Sequence, residues 1–225
     1  MNRISEKTKD LRGYGKGEGE NYKPYIQAHE FNSKGTTVTL PDWKTGRSVE
    51  LLSQGEAEYW HILRWNDDII DIREQIPLPK EATTAIAEEM GFIPAGKGRT
   101  VMTSDFFIVY ADQHMEVHSF KKNMRSIERQ RTLELLNIEK TFLERKGITF
   151  RLVLGSDTNT ILADNIRICS YYYRESDVFD EISCLKHLII RKKLQVDIEN
   201  EDLDFPVLKE KYHKEVSEWM ASHKK

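Results

Sequence analysis

Glu56, Asp105 and the tripeptide Glu116-Val117-His118 are the residues of this 225-residue chain whose types and placement suit metal-dependent hydrolysis of a phosphodiester. That reaction needs divalent ions held by hard oxygen ligands, which position an attacking water and neutralise charge building on the phosphate. A recurring arrangement sets one carboxylate on a helix, a second on a strand, and an E-x-K element on the paired strand. The two-residue period of a strand then aims both ends of that element at one face. Glu56, Asp105 and Glu116-Val117-His118 match this layout. Each acid also has a plain alternative. Glu56 follows Ser53 by three residues, a capping-box spacing that would serve a helix by itself. Asp105 sits in an apolar run, where an unpaired charge is costly; it could lie on an exposed sheet face or pair with a cation.

Other chemistries fit less well. His114, Glu116 and His118 share a strand face by parity, which suggests zinc. Histidines four apart on a strand are ~13 Å from each other, however, and the HExxH pattern needs a helix. The string GFIPAGKG (91–98) has Gly98 where a phosphate loop needs Ser or Thr, and it lacks a strand-loop-helix context. Cys169 and Cys184 are the only two cysteines and read as buried thiols rather than a disulfide or a zinc site.

The elements that would position the acids follow from periodicity. Residues 1–35 are polar and rich in Gly and Lys, with Gly13, Gly15, Gly17 and Gly19 alternating, and read as a flexible or partner-ordered arm. Ser53 opens an amphipathic helix through Trp65. Ile69–Ile76 reads as a strand stopped at Pro77, and a Pro- and Gly-bearing connection runs on through Gly98. Thr100–Tyr110 and Met115–Phe120 read as an antiparallel hairpin. A helix over Arg125–Lys146, capped by Gly147, precedes a strand over Ile148–Leu154. From about residue 170 the composition shifts to short charged helices near Phe179–Lys193 and Pro206–Ala221, which offer either a helical cap or a partner-docking surface. Tyr171–Tyr173 could stack on nucleic acid or pack at the junction.

Hydrophobic residues at 39% and charged residues at 32% describe a globular chain, and no apolar run approaches the ~20 residues of a membrane span. With no secretory signal evident, the expected location is the cytoplasm. The net charge of −3 does not advertise nucleic-acid binding. Its distribution is more telling. Lys121, Lys122, Arg125, Arg129, Arg131, Lys140, Arg145, Lys146 and Arg151 stand against only four glutamates between 121 and 151.

Six segments in order resemble the TnsA family of heteromeric DNA transposases, over roughly Leu11 to Ser170. They are the Gly-rich arm with YKPYIQ, WKTGRSVELLSQGE, NDDIIDIREQIPL, MTSDFF, TLELLNIEKTFLERKGI and DNIRI. The resemblance implies an α/β fold with a restriction-endonuclease-like core over 36–169, a central mixed sheet flanked by helices. It also implies a small, mostly helical, truncated winged-helix-like region over 170–225 that binds a partner. The implied activity is hydrolysis of the 5′ strand at double-stranded transposon ends with Mg2+ or Mn2+. A TnsB-like recombinase, which cuts the 3′ strand, and a TnsC-like ATP-dependent regulator are the implied partners, and the complex would join the bacterial nucleoid when assembled on DNA.

Residue by residue, the resemblance makes Glu56 the helical carboxylate and Asp105 the strand ligand. Glu116 falls where the family has Gln or Glu ahead of its lysine, and the carbonyl of Val117 is a further ligand. Glu139 matches a family acidic position. Lys121, Lys122, Arg125 and Arg129 are the expected DNA contacts. His118 then occupies the position of the motif lysine. Histidine is mostly neutral at physiological pH, so it would act either as a general base or as a nitrogen ligand favouring manganese. A migrated lysine is a third possibility, but Lys122 lies about 20 Å beyond Glu116 along an extended strand, so only a chain reversal could return it. Loss of the lysine also opens a second reading, a catalytically weakened subunit that bridges recombinase and regulator.

Overall fold

A computed structural model describes residues 4–30 and 36–223, and the chain divides into two units. The first comprises the chain up to Pro41, Arg47–Ala57 and Asn66–Thr158. It opens with helix α1 (Glu6–Leu11), capped by the Ser5 side chain. A short antiparallel hairpin follows, β1 (Val38–Pro41) with β2 (Ser48–Leu51), and then the first turn of α2 (Gln54–Trp65). Next come β3 (Ile69–Pro77), α3 (Lys80–Glu89), β4 (Thr103–Tyr110), β5 (Met115–Lys121), α4 (Gln130–Arg145) and β6 (Thr149–Leu154). Helix α3 lies in the stretch expected to be a plain connection.

The sheet runs β3-β4-β5-β6, antiparallel at the first two joints and parallel at the last, where α4 makes the crossover. It is the expected mixed α/β architecture. One face is sealed by α3 and α4, which bury Ile86, Ala87, Ile138, Phe142 and Leu143 against Leu78 and Val117. On the other face, Gly55 of α2 lies against the Phe120 ring so closely that a Cβ would stand 2.8 Å from it.

Because β3 is the sheet's edge strand, its outer backbone groups need cover. Tyr25 N–H donates to the Gln75 carbonyl (3.2 Å), and the Tyr22 hydroxyl donates to the Glu74 carbonyl (2.8 Å). Gly15 makes the close approach possible: its φ is +73°, and a Cβ there would lie 2.4 Å from Pro77 Cγ. Residues 4–30 of the expected arm thus follow a defined path along β3, while 1–3 and 31–35 lie outside the described residues. Behind the strand, the buried Arg47 guanidinium holds the Glu74 carboxylate at 2.8 and 2.6 Å.

The second unit gathers Asp42–Gly46, Glu58–Trp65 and the chain from Asn159. Its helices are α5 (Thr160–Ser170), α6 (Glu181–Ile190), α7 (Phe205–Lys211) and α8 (His213–Ser222). Asp180 and Ser183 form a capping box on α6, and Asp204 caps α7. The expected boundary at 169/170 compares with an observed division after Thr158. Helix α5 groups with the later helices because Asn165 donates to the Ile198 and Glu201 carbonyls and accepts from Leu203 N–H. Among the described residues after 158 there are helices and no strand, hence no wing. No helix among the described residues is long and apolar enough to cross a membrane.

Candidate active site

The register of β4 against β5 decides which side chains meet. Phe106 pairs with His118, Phe107 with Val117 and Ile108 with Glu116. Glu116 and His118 therefore project from the same face as Phe106 and Ile108, opposite to Asp105. Asp105 shares its face with Val117, Ser119 and Lys121. The structure does not bring Glu116 and His118 to Asp105. They form a separate cluster, in which Arg151 grips Glu116 through two 2.8 Å bonds and His118 Nε2 lies 2.8 Å from Glu116 Oε2. The Tyr110 hydroxyl adds a donor at 3.2 Å. Arg151 chiefly holds the Glu116 carboxyl down at about 2, against the opposing effect of burial, and burial pushes His118 below the ordinary imidazole value. Val117 is fully buried in the apolar layer beneath α4.

Around Asp105 a different group assembles. Phe120 N–H donates to Asp105 Oδ2 at 2.7 Å, and Lys121 Nζ reaches the same oxygen at 3.3 Å while donating to the Phe120 carbonyl at 2.8 Å. Glu139, arriving from α4, accepts from the Ser119 hydroxyl at 2.7 and 2.8 Å. Glu56 comes from the first turn of α2, where both readings of it hold together. Its carboxylate accepts from Ser53 Oγ and from Leu52 N–H, each at 3.0 Å, and its own N–H donates to Ser53 Oγ, so with Ser53 it ties off the start of the helix. It also belongs to the electrostatic cluster. Burial, then the charge of Asp105, pushes Glu56 up to about 7. The same two causes in the same order push Glu139 to about 7. Burial opposes the charge on Lys121, but Asp105 and Glu139 outweigh it and raise its pKa, so it is cationic at neutral pH.

Asp105, Glu139 and Lys121 thus share a face, with a cavity of about 410 Å³ beside them lined by Lys121, Glu139, Arg131, Met102 and Leu135 among others, and Glu56 is coupled to them electrostatically from the first turn of α2. Among the described residues no three His, Cys, Asp or Glu side chains form a ready metal cage. The donor chemistry nonetheless suits a hard cation. All the acids offer oxygen, two retain protons near neutrality that a cation would displace, and Mg2+ is commonly held by only one or two carboxylates plus water. Lys122, Arg125 and Arg129 are exposed on the segment joining β5 to α4.

The description "TnsA-like endonuclease N terminal" belongs to the family model that matches residues 66–155. Over 186 residues the chain is 30% identical to the Transposon Tn7 transposition protein TnsA of Escherichia coli, covering 80% of this chain and 68% of that protein. The chain belongs to the TnsA family. Asp105, Ser119, Lys121 and Glu139 of this TnsA-family chain fall inside the segment matched by the family model, whereas Glu56 precedes it. What reading the motif by string alone missed was the pairing of Ser119 and Lys121 with Asp105. The signal was present in the hairpin: a turn centred on residue 112 sets residue 119, not 116 or 118, across from residue 105.

Proposed function

We propose that this chain is the endonuclease subunit of a cut-and-paste DNA transposase, hydrolysing the 5′ strand at transposon ends. It would act with a TnsB-like recombinase and a TnsC-like ATP-dependent regulator. The observation that carries this reading is the convergence of Glu56, Asp105, Glu139 and Lys121 beside Ser119. Asp105 and Glu56 would hold Mg2+ or Mn2+, with the Phe120 carbonyl within reach of the same group. Ser119 takes the place of the acid or amide ahead of the motif lysine, and Glu139, bonded to it from α4, supplies the carboxylate that Ser119 lacks. The metal, when bound, supplies Lewis-acid activation of the phosphate and of the attacking water.

The remaining work falls to the chain's own residues. Lys121, kept charged by Asp105 and Glu139, orients the water and offsets negative charge on the phosphate oxygens. Glu139, poised near neutrality, takes the proton of the water as its oxygen bonds to phosphorus, while the ester P–O bond breaks and the departing oxygen takes a proton from solvent to leave as a hydroxyl. Lys122, Arg125 and Arg129 contribute the sequence-independent hold on the DNA backbone. The alternative of a weakened scaffold rested on histidine in the place of the lysine, and Lys121 beside Asp105 supports the active reading over it.

The test is 5′-strand cleavage of transposon-end DNA in the complete assembly with Mg2+ or Mn2+. Asp105→Ala and Lys121→Ala should abolish cutting, while His118→Ala should leave it within a few-fold of the unmodified protein. Absence of 5′ cutting by the unmodified chain, with the recombinase active, would instead make it a structural subunit.

A further inference from the structure

Gln75 is the one residue of β3 with a positive φ. Its φ is +52°, in the left-handed region that L side chains other than Asn and Asp rarely enter. The register is regular on both sides of it, Glu74 with Phe106 and Ile76 with Ser104, so Gln75 stands directly across from Asp105. It is also buried, at 1% exposure, which obliges its amide to find partners.

Its carbonyl and both ends of its side-chain amide are used. The Thr103 hydroxyl donates to Gln75 Oε1 at 3.1 Å, which turns the amide nitrogen toward Asp105, where Nε2 lies 3.5 Å from Oδ1. Asp105 Oδ2 is meanwhile held by Phe120 N–H and Lys121. The Gln75 carbonyl accepts from Tyr25 N–H, and the carbonyl of Tyr25 in turn takes the buried Lys9 ammonium at 2.6 Å. Strained backbone kept in place by several independent bonds, next to a candidate ligand, is a known mark of a functional position. From this we infer that Gln75 is a positioning residue. It fixes the rotation of the Asp105 carboxylate so that Oδ1 faces the metal, and the arm bond from Tyr25 holds Gln75 in the conformation that allows this. The inference rests on the proposed role of Asp105 as a metal ligand.

Manganese binding to the full-length chain, without DNA, gives a readout separate from activity. Gln75→Asn tests it most directly, since Asn tolerates positive φ but is one methylene too short to reach both Thr103 and Asp105. The expected result is a Mn2+ affinity about tenfold weaker, the usual scale for residues that orient a ligand, with an unchanged melting temperature. Should Gln75→Asn fail to fold, Thr103→Val frees the amide without touching the backbone and should weaken Mn2+ in the same direction. Mn2+ affinity within twofold of the unmodified chain in the folded variant would overturn the inference. Asp105→Ala separates the two claims. If it leaves Mn2+ binding intact, the metal-ligand reading itself fails; if it abolishes binding while Gln75→Asn does not weaken it, only the positioning role fails.

Discussion

Glu139→Gln should make the protein more stable at alkaline pH while stopping it from cutting DNA. The carboxylate of Glu139 is 5% exposed, with burial and the charge of Asp105 both disfavouring its ionised form. Raising a carboxyl from 4.5 to about 7 corresponds, at ~1.4 kcal/mol per pH unit, to about 3 kcal/mol. The sign follows from proton counts. Between pH 4.5 and 7 the folded chain holds this proton more tightly than the unfolded chain, so the contribution is fully present below 4.5 and lost as pH rises through about 7. Gln matches the shape, keeps an oxygen for the Ser119 hydroxyl and never ionises. In EDTA, urea unfolding should therefore show the variant about 2–3 kcal/mol more stable at pH 8 and no more stable at pH 4. Far-UV circular dichroism is the suitable probe: Trp43, Trp60, Trp65 and Trp219 all belong to the helical unit, so fluorescence would follow the wrong part of the chain. A variant no more stable than the unmodified protein at pH 8 would refute the claim that an ionised Glu139 is costly in the folded state.

Glu116 should behave in the opposite sense. Its carboxyl is held at about 2, so it contributes stability above 4.5 that is lost as pH falls through about 2. Glu116→Gln is expected to lower stability at pH 7 by about 1 kcal/mol, a figure reduced because Arg151 is 59% exposed, with the difference from the unmodified chain vanishing in unfolding curves at pH 2. Gly15→Ala should loosen the arm from the β3 edge, since the added Cβ would collide with Pro77 at a φ suited to glycine. Limited proteolysis should then clip the variant faster between residues 12 and 25 than the unmodified chain.

The parts of this molecule that follow local rules were legible from residue order. Alternation and β-branching marked β3, the hairpin and β6, and the Ser53/Glu56 spacing marked the start of α2. Asp105 stood out because a charge in an apolar strand demands a reason. Helix α3 was hidden by its polar exposed face and by the prolines and glycines around it. Pairing was the harder matter. A strand slipped by one residue presents its opposite face, so an E-x-K pattern that admits His118 for the lysine falls on the side of β5 that faces away from Asp105. Gln75 was invisible for a different reason: nothing in IREQIP announces a positive φ, which is imposed by the arm, Thr103 and Asp105 together.

The two faces of β5 offer a way to tell a structural acid from a functional one. Glu116, His118, Arg151 and Tyr110 form a network in which the carboxylate accepts from three side chains and is held firmly ionised. Such a group is at rest, and its charge is already balanced. Around Asp105, Glu56 and Glu139 are pushed to about 7 chiefly by burial and then by the charge of Asp105, with one nearby ammonium to offset the three acids. Selection for stability alone would replace one of them with an amide. Keeping three acids there is uneconomical unless something cationic completes the site, and that electrostatic deficit is the ground for proposing Asp105 and its neighbours, rather than Glu116, as the seat of the chemistry.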